Sequence, residues 1–96
     1  YLLAMYRVGA VMRPMGNEKG ANQEECEALM ARSISIDPAA TLEKAMPMFD
    51  REDIAFIPVV IDADGEAPDL VGALFHIDAL RAYNRALAAT AAEEHS

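Results

Sequence analysis

The stretch Ile57-Pro58-Val59-Val60-Ile61-Asp62, followed by Asp64-Gly65 and then by Leu70-Val71-Gly72-Ala73-Leu74, decides the fold. Two short apolar runs, parted by Asp-Gly and a proline, predict strands over 58–61 and 70–75 joined by a turn. Pro58 donates no ladder hydrogen bond, so it must begin its strand or lie on an edge. Asp78 stands where the second strand gives way to a helix. Such a hairpin cannot bury both faces alone, so flanking helices and a partner of the same kind are implied.

Working outward, Ser33-Ile34-Ser35-Ile36 alternates as a half-buried strand does, and Asp37-Pro38 ends it. Thr41 suits the N-cap of a helix reaching about Glu52, with Leu42, Ala45, Met46 and Phe49 on one face. Pro47 removes a helical N–H and predicts a bend. After the hairpin, a last helix from about Ile77 to Ala92 is expected to turn Ile77, Leu80, Tyr83, Leu87 and Ala91 inward, with residues 93–96 frayed. Upstream, Asn22 reads as an N-cap with Glu25 as its reciprocal partner, and Cys26, Leu29 and Met30 form a short apolar stripe. Arg32 stands at the negative end of that helix.

Residues 1–12 (YLLAMYRVGAVM) read as an apolar helix ended by Arg13-Pro14, and 14–21 as a Pro/Gly linker. The stretch is too short to span a bilayer and lacks the layout of a secretory signal. Two readings stand: a helix packed on the domain or on a second copy, or the cytoplasmic end of a membrane-embedded region. The division is thus 1–21, helix and linker, and 22–96, an α+β domain.

Eight basic and 16 acidic residues give a net charge of -8, which argues against a nucleic-acid partner. Cys26 is the sole cysteine, so the chain forms no internal disulfide and no cysteine-based metal site, and a reducing, cytosolic setting is the simpler reading. Asp62, Asp64, Glu66 and Asp69 lack the glycine and glutamate spacing of a calcium loop and read as a solvated turn. His76 and His95 have nothing to orient them as bases, and His76 reads as a surface residue at the strand end. No P-loop is present. No catalytic set emerges.

Three pieces in order, SISIDPAATLEKAM (33–46), DIAFIPVVIDADG (53–65) and LVGALFHIDAL (70–80), resemble the CBS domain, and the likeness covers residues 33–88. It implies a β-α-β-β-α unit with a small sheet packed on two helices, preceded here by one or two extra N-terminal helices. CBS units commonly pair sheet against sheet, and many bind the adenosyl part of AMP, ADP, ATP or S-adenosylmethionine. The resemblance therefore implies a non-catalytic regulatory unit acting as a homodimer. Its adenylate contacts would be Ser35, Ile36, Ala55, Phe56, Pro58 and Asp78. The family's ribose signature, a glycine followed at the third position by Ser or Thr and at the sixth by Asp, finds Gly72 and Asp78 in place. Phe75 stands where the hydroxyl belongs, offering no hydrogen bond and filling space. Asp78 keeps two readings, ligand carboxylate or helix N-cap. The alternative is a structural dimerisation or protein-interaction module with no ligand. LRAYNRALAA (80–89) resembles the closing helix of the second CBS unit of bacterial ClC-type chloride channels. That likeness implies an attached transmembrane transport domain and a place on the cytoplasmic side of a membrane.

Overall fold

A computed structural model describes residues 6–16, 20–62 and 68–94, with side chains through residue 89. In chain order the elements are α1 (Val8–Val11), β1 (Arg13–Pro14), α2 (Gln23–Ala31), α3 (Leu42–Glu52), β2 (Phe56–Ile61), β3 (Asp69–Phe75) and α4 (His76–Glu94). The class is α+β, as expected. The antiparallel hairpin pairs Phe56 with Phe75, Ile57 with Leu74, Pro58 with Ala73 and Val59 with Gly72, and a bulge between Val59 and Val60 shifts the rest. The two apolar runs set this register, because a slip of one residue would turn Ile57, Val59 and Leu74 away from the core. The tip of the expected Asp64-Gly65 turn lies outside the described residues.

The core fills the space between one face of this sheet and two helices. Leu42, Ala45 and Phe49 come from α3, Ile57, Val59 and Leu74 from the sheet, and Ala79 and Ala82 from α4, joined by Val8, Ile34 and Ile36. Leu42, Ile57 and Leu74 are fully buried. Burial of each stabilises the fold by about 1.5–3 kcal/mol. Thr41 sits at the N-cap of α3 in extended conformation, but its side chain makes no capping bond. The Leu42 N–H instead donates to the Tyr6 carbonyl at 3.0 Å, so a distant segment satisfies that helix end. α3 runs unbroken through Pro47, which lies on its exposed side.

Four expectations are corrected. Residues 6–12 are not one helix: only Val8–Val11 coil, while the Val8 and Gly9 N–H groups donate to Ala40 and Pro38 and bind the segment to the loop before α3. Arg13–Pro14 is a strand rather than a stop, pairing with Ala73 and Gly72 on the free edge of β3. The stretch 33–36 forms a single parallel bridge, Ile36 with Val59, although its alternation is right: Ile34 and Ile36 are buried and Ser35 is half-buried. Finally, α4 faces the core with Ala79, Ala82 and Ala86, leaving Ile77, Leu80 and Leu87 exposed and Tyr83 half-buried. The helix starts at the residue after β3 with no loop between them, and packs against α3 and α1 as well as β3. The helix runs on through Glu94, so of the fraying expected over 93–96 the first two residues remain helical, and residues 95–96 and the Ala91 side chain lie outside what is described.

The other sheet face is covered as well. Pro58 and Ala73, a cross-strand pair on the side opposite Ile57 and Leu74, are fully buried. The element against β2 on this side is α2, whose Cys26 is also fully buried. Gln23, Glu27 and Met30 flank Met15 and Leu70 at one side of the helix, and Ala28, Leu29 and Arg32 flank Ile54 and Phe56 at the other. α2 thus crosses the sheet with Cys26 pointing into it. The expected bare sheet face is therefore absent, because this chain supplies its own cover.

Candidate functional site

The N-terminal segment and the start of α4 meet at Asp78. β1 pairing places Arg13 over β3, where its guanidinium carbon lies 4.4 Å from the centre of the Phe75 ring. From there Arg13 Nε donates to Asp78 Oδ2 at 2.7 Å and Nη2 to Oδ1 at 3.2 Å, a bidentate pair with both side chains mostly covered. The hydrogen bond to Asp78 raises the Arg13 pKa above its ordinary value, against a smaller opposing effect of desolvation. Asp78 is the third residue of α4, inside the helix and not its N-cap. A carboxylate there is favoured by the positive end of the helix dipole. Arg81, one turn on, stands 3.8 Å from Oδ1.

His76 opens α4 and is not a surface residue. Its ring stacks on Phe49 at 4.6 Å, and its backbone N–H donates to the Ala55 carbonyl at 2.8 Å. That bond fixes where α4 leaves the sheet, and with it the position of Asp78.

The six residues expected to hold an adenylate are not brought to one place. Asp78 lines a cleft of about 450 Å³ between residues 6–11 and α4, together with Tyr6, Ala10, Val11, Arg81, Ala82 and Arg85. Ala55 and Phe56 line a different groove of about 290 Å³ beside α2, mostly apolar. Ile36 and Pro58 are buried, and Ser35 is half-buried. Arg13, Arg81, Arg85 and Tyr6 were missed in the sequence. The first needed the β1–β3 register to be found, and the others needed the packing of the N-terminal segment on α4. Phe75, which the sequence marked as the departure from the ribose signature, is the platform on which Arg13 lies.

Among the described residues no group of three His, Cys, Asp or Glu could hold a metal, no buried side-chain polar atom lacks a partner, and no helix is long and apolar enough to cross a membrane. No curated protein and no solved structure matches the chain. The family pattern of the CBS domain matches residues 26–85, well over half of the chain, where the Ile36–Val59 bridge is followed by α3, β2, β3 and α4. The chain belongs to the CBS domain family.

Proposed function

We propose that this chain is a non-catalytic regulatory CBS unit that works as a homodimer, with α4 supplying the contact. The observation that carries this is the outward face of α4. Ile77, Leu80 and Leu87 are 51%, 39% and 42% exposed, and with Asn84 they fall at a, d, a and d of a heptad. An apolar a residue with leucine at d favours two strands, and a single asparagine at a fixes their register. Since α2 already covers the sheet, this stripe is an apolar surface open to a second copy. Sedimentation equilibrium tests the reading. The wild-type chain is expected to run as a dimer and the double variant Leu80→Glu/Leu87→Glu as a monomer with unchanged circular dichroism. A wild-type chain that stays monomeric at high concentration sinks it.

Sensing of an adenine nucleotide is the finer form of this reading. It is supported by Gly72 and Asp78 at the family's ribose spacing. A ligand could bias an attached protein only through preferring one arrangement of the pair. The rival, a ligand-free scaffold, is favoured by a specific observation: Arg13 holds both Asp78 oxygens, with Phe75 beneath it. Calorimetry with AMP, ADP, ATP and S-adenosylmethionine separates the two, and silence toward all four selects the scaffold. Phe75→Thr restores the hydroxyl and removes the platform under Arg13, so on the sensing reading it strengthens adenylate binding.

For the attached protein we propose a ClC-type chloride channel or transporter, with this unit on the cytoplasmic side of the membrane. The support is the resemblance of residues 80–89 to that family's closing helix. Reading the coding frame upstream of Tyr1 tests it: a ClC-type membrane domain is expected there, and an enzyme domain would overturn the assignment.

A further inference from the structure

The outward stripe of α4 can meet its copy in two orientations, and the residues in and beside it choose between them. With Ile77, Leu80, Asn84 and Leu87 at a, d, a and d, the buried Ala79, Ala82 and Ala86 fall at c, f and c, on the opposite side of the helix. In a parallel pair a faces a and d faces d. Asn84 then meets its own copy, and each amide donates to the carbonyl of the other. In an antiparallel pair a faces d, which sets Asn84 against Leu80 and Ile77 against Leu87. The Asn84 amide, exposed in the single chain, is then taken out of water with no partner, which is costly.

The charged flank points the same way. Arg81 and Arg85, at e and b, lie on the side of α4 that faces residues 6–11, and both are exposed. Arg81 stands 3.8 Å from Asp78, whose two oxygens Arg13 already holds. An antiparallel pair brings e beside e, so four guanidiniums gather on one flank and Arg81 lies next to its own copy. A parallel pair brings e beside g, where the residues are His76, stacked on Phe49 of its own chain, and Tyr83. Like charges stay apart only in the parallel arrangement.

We propose that two copies pair through α4 in parallel and in register, Asn84 against Asn84, with the two arginine flanks on opposite sides of the pair. The inference rests on the self-pairing proposed above and adds its orientation. Arg13 ties the N-terminal segment to the first turn of α4. The N-terminal segments of a parallel pair therefore lie at one end of the dimer, where a single attached body reaches both, whereas an antiparallel pair sends them to opposite ends.

Disulfide cross-linking of the whole chain in a Cys26→Ala background tests the proposal, with copper phenanthroline as oxidant. Ile77→Cys and Leu87→Cys are each expected to form covalent dimers on their own, because facing positions stand within the Cα separation a disulfide spans, about 4.4–6.8 Å. Leu80→Cys should do the same and guards against one substitution disturbing the pair. Ile77→Cys chains mixed under reducing conditions with tagged Leu87→Cys chains, then oxidised, are expected to give no mixed product. In an antiparallel pair Ile77 would stand ten residues, about 15 Å, along the axis from its own copy. Single variants that stay unlinked while the mixture links therefore overturn the proposal. Adding Asn84→Leu is expected to raise the mixed product severalfold above background, and no rise would remove Asn84 as the cause of the orientation. A chain that sediments as a dimer yet links by neither route overturns the orientation alone. A chain that sediments as a monomer overturns the pairing itself and leaves the stripe to a different protein.

Discussion

At the scale of single residues, Asp78 shows how a side chain's role depends on what reaches it. A carboxylate in the first turn of a helix is free to serve a ligand only if nothing in the chain claims it, and here Arg13 claims both oxygens. Gly72 makes that arrangement possible. A Cβ at this position would lie 2.7 Å from the Arg13 carbonyl oxygen and 3.0 Å from Met12 Sδ, so β1 can approach β3 only because the side chain is missing. Gly72→Ala is expected to cost about 1–3 kcal/mol in urea denaturation. It should also speed amide exchange at Met15, whose N–H donates to Val71 at 3.2 Å. Cys26 gives a pH prediction. Burial first, and then Glu25 and Glu27, raise its thiol pKa above the ordinary value. The folded protein therefore holds that proton to higher pH than the unfolded chain does. The associated stability is complete below the unfolded thiol pKa of about 8.5 and is lost as pH rises beyond it. Wild type is expected to lose stability in that alkaline range more steeply than Cys26→Ala, and parallel pH curves for the two would refute the assignment.

At the scale of elements, α2 is the unexpected one. A sheet of three short strands exposes apolar surface on the side away from its helices, and this chain lays a nine-residue helix across that side. So short a helix is marginal alone, and its stability comes from the face it buries and from its cap. Asn22 accepts from the Glu24 N–H at 2.7 Å. Asn22→Ala is expected to cost about 1 kcal/mol. Hydrogen exchange should show the loss confined to 23–31, with β2 and β3 keeping their protection. Fast exchange throughout the sheet as well would mean that α2 and the hairpin unfold as one unit. Arg32 at the end of α2 reaches Glu52 of α3 at 3.7 Å, an exposed contact of small energetic weight.

At the scale of the whole molecule, both sheet faces are filled from within, and three of the four exposed large apolar side chains among the described residues lie along α4. Asn84 among Ile77, Leu80 and Leu87 then acquires a meaning it lacks in an isolated chain. A polar a residue costs association energy but restricts the number of strands and their register. Asn84→Leu is expected to tighten self-association and to yield species larger than the dimer, measured by sedimentation velocity. A dimer of unchanged strength would show that Asn84 lies outside the contact.

The sequence by itself determined the hairpin and the α3 and α4 helices, because these rest on local signals of alternation, turn residues and helical spacing, while the CBS family was legible through the resemblance of three stretches in order. Alternation also placed Ile34 and Ile36 in the core, though not the single bridge they make there. Tertiary structure alone decided which face of α4 turns inward, because Ala79-Ala82-Ala86 and Ile77-Leu80-Leu87 share helical spacing and only the packing of α4 on α3, β3 and α1 chooses between them. It alone decided that Arg13 reaches Asp78, 65 residues away. It also decided that Pro58 is fully buried while Asp78 lines the cleft between residues 6–11 and α4. Contacts of this kind leave no periodic trace in a chain, because they form only once the hairpin exists as a surface to pack on.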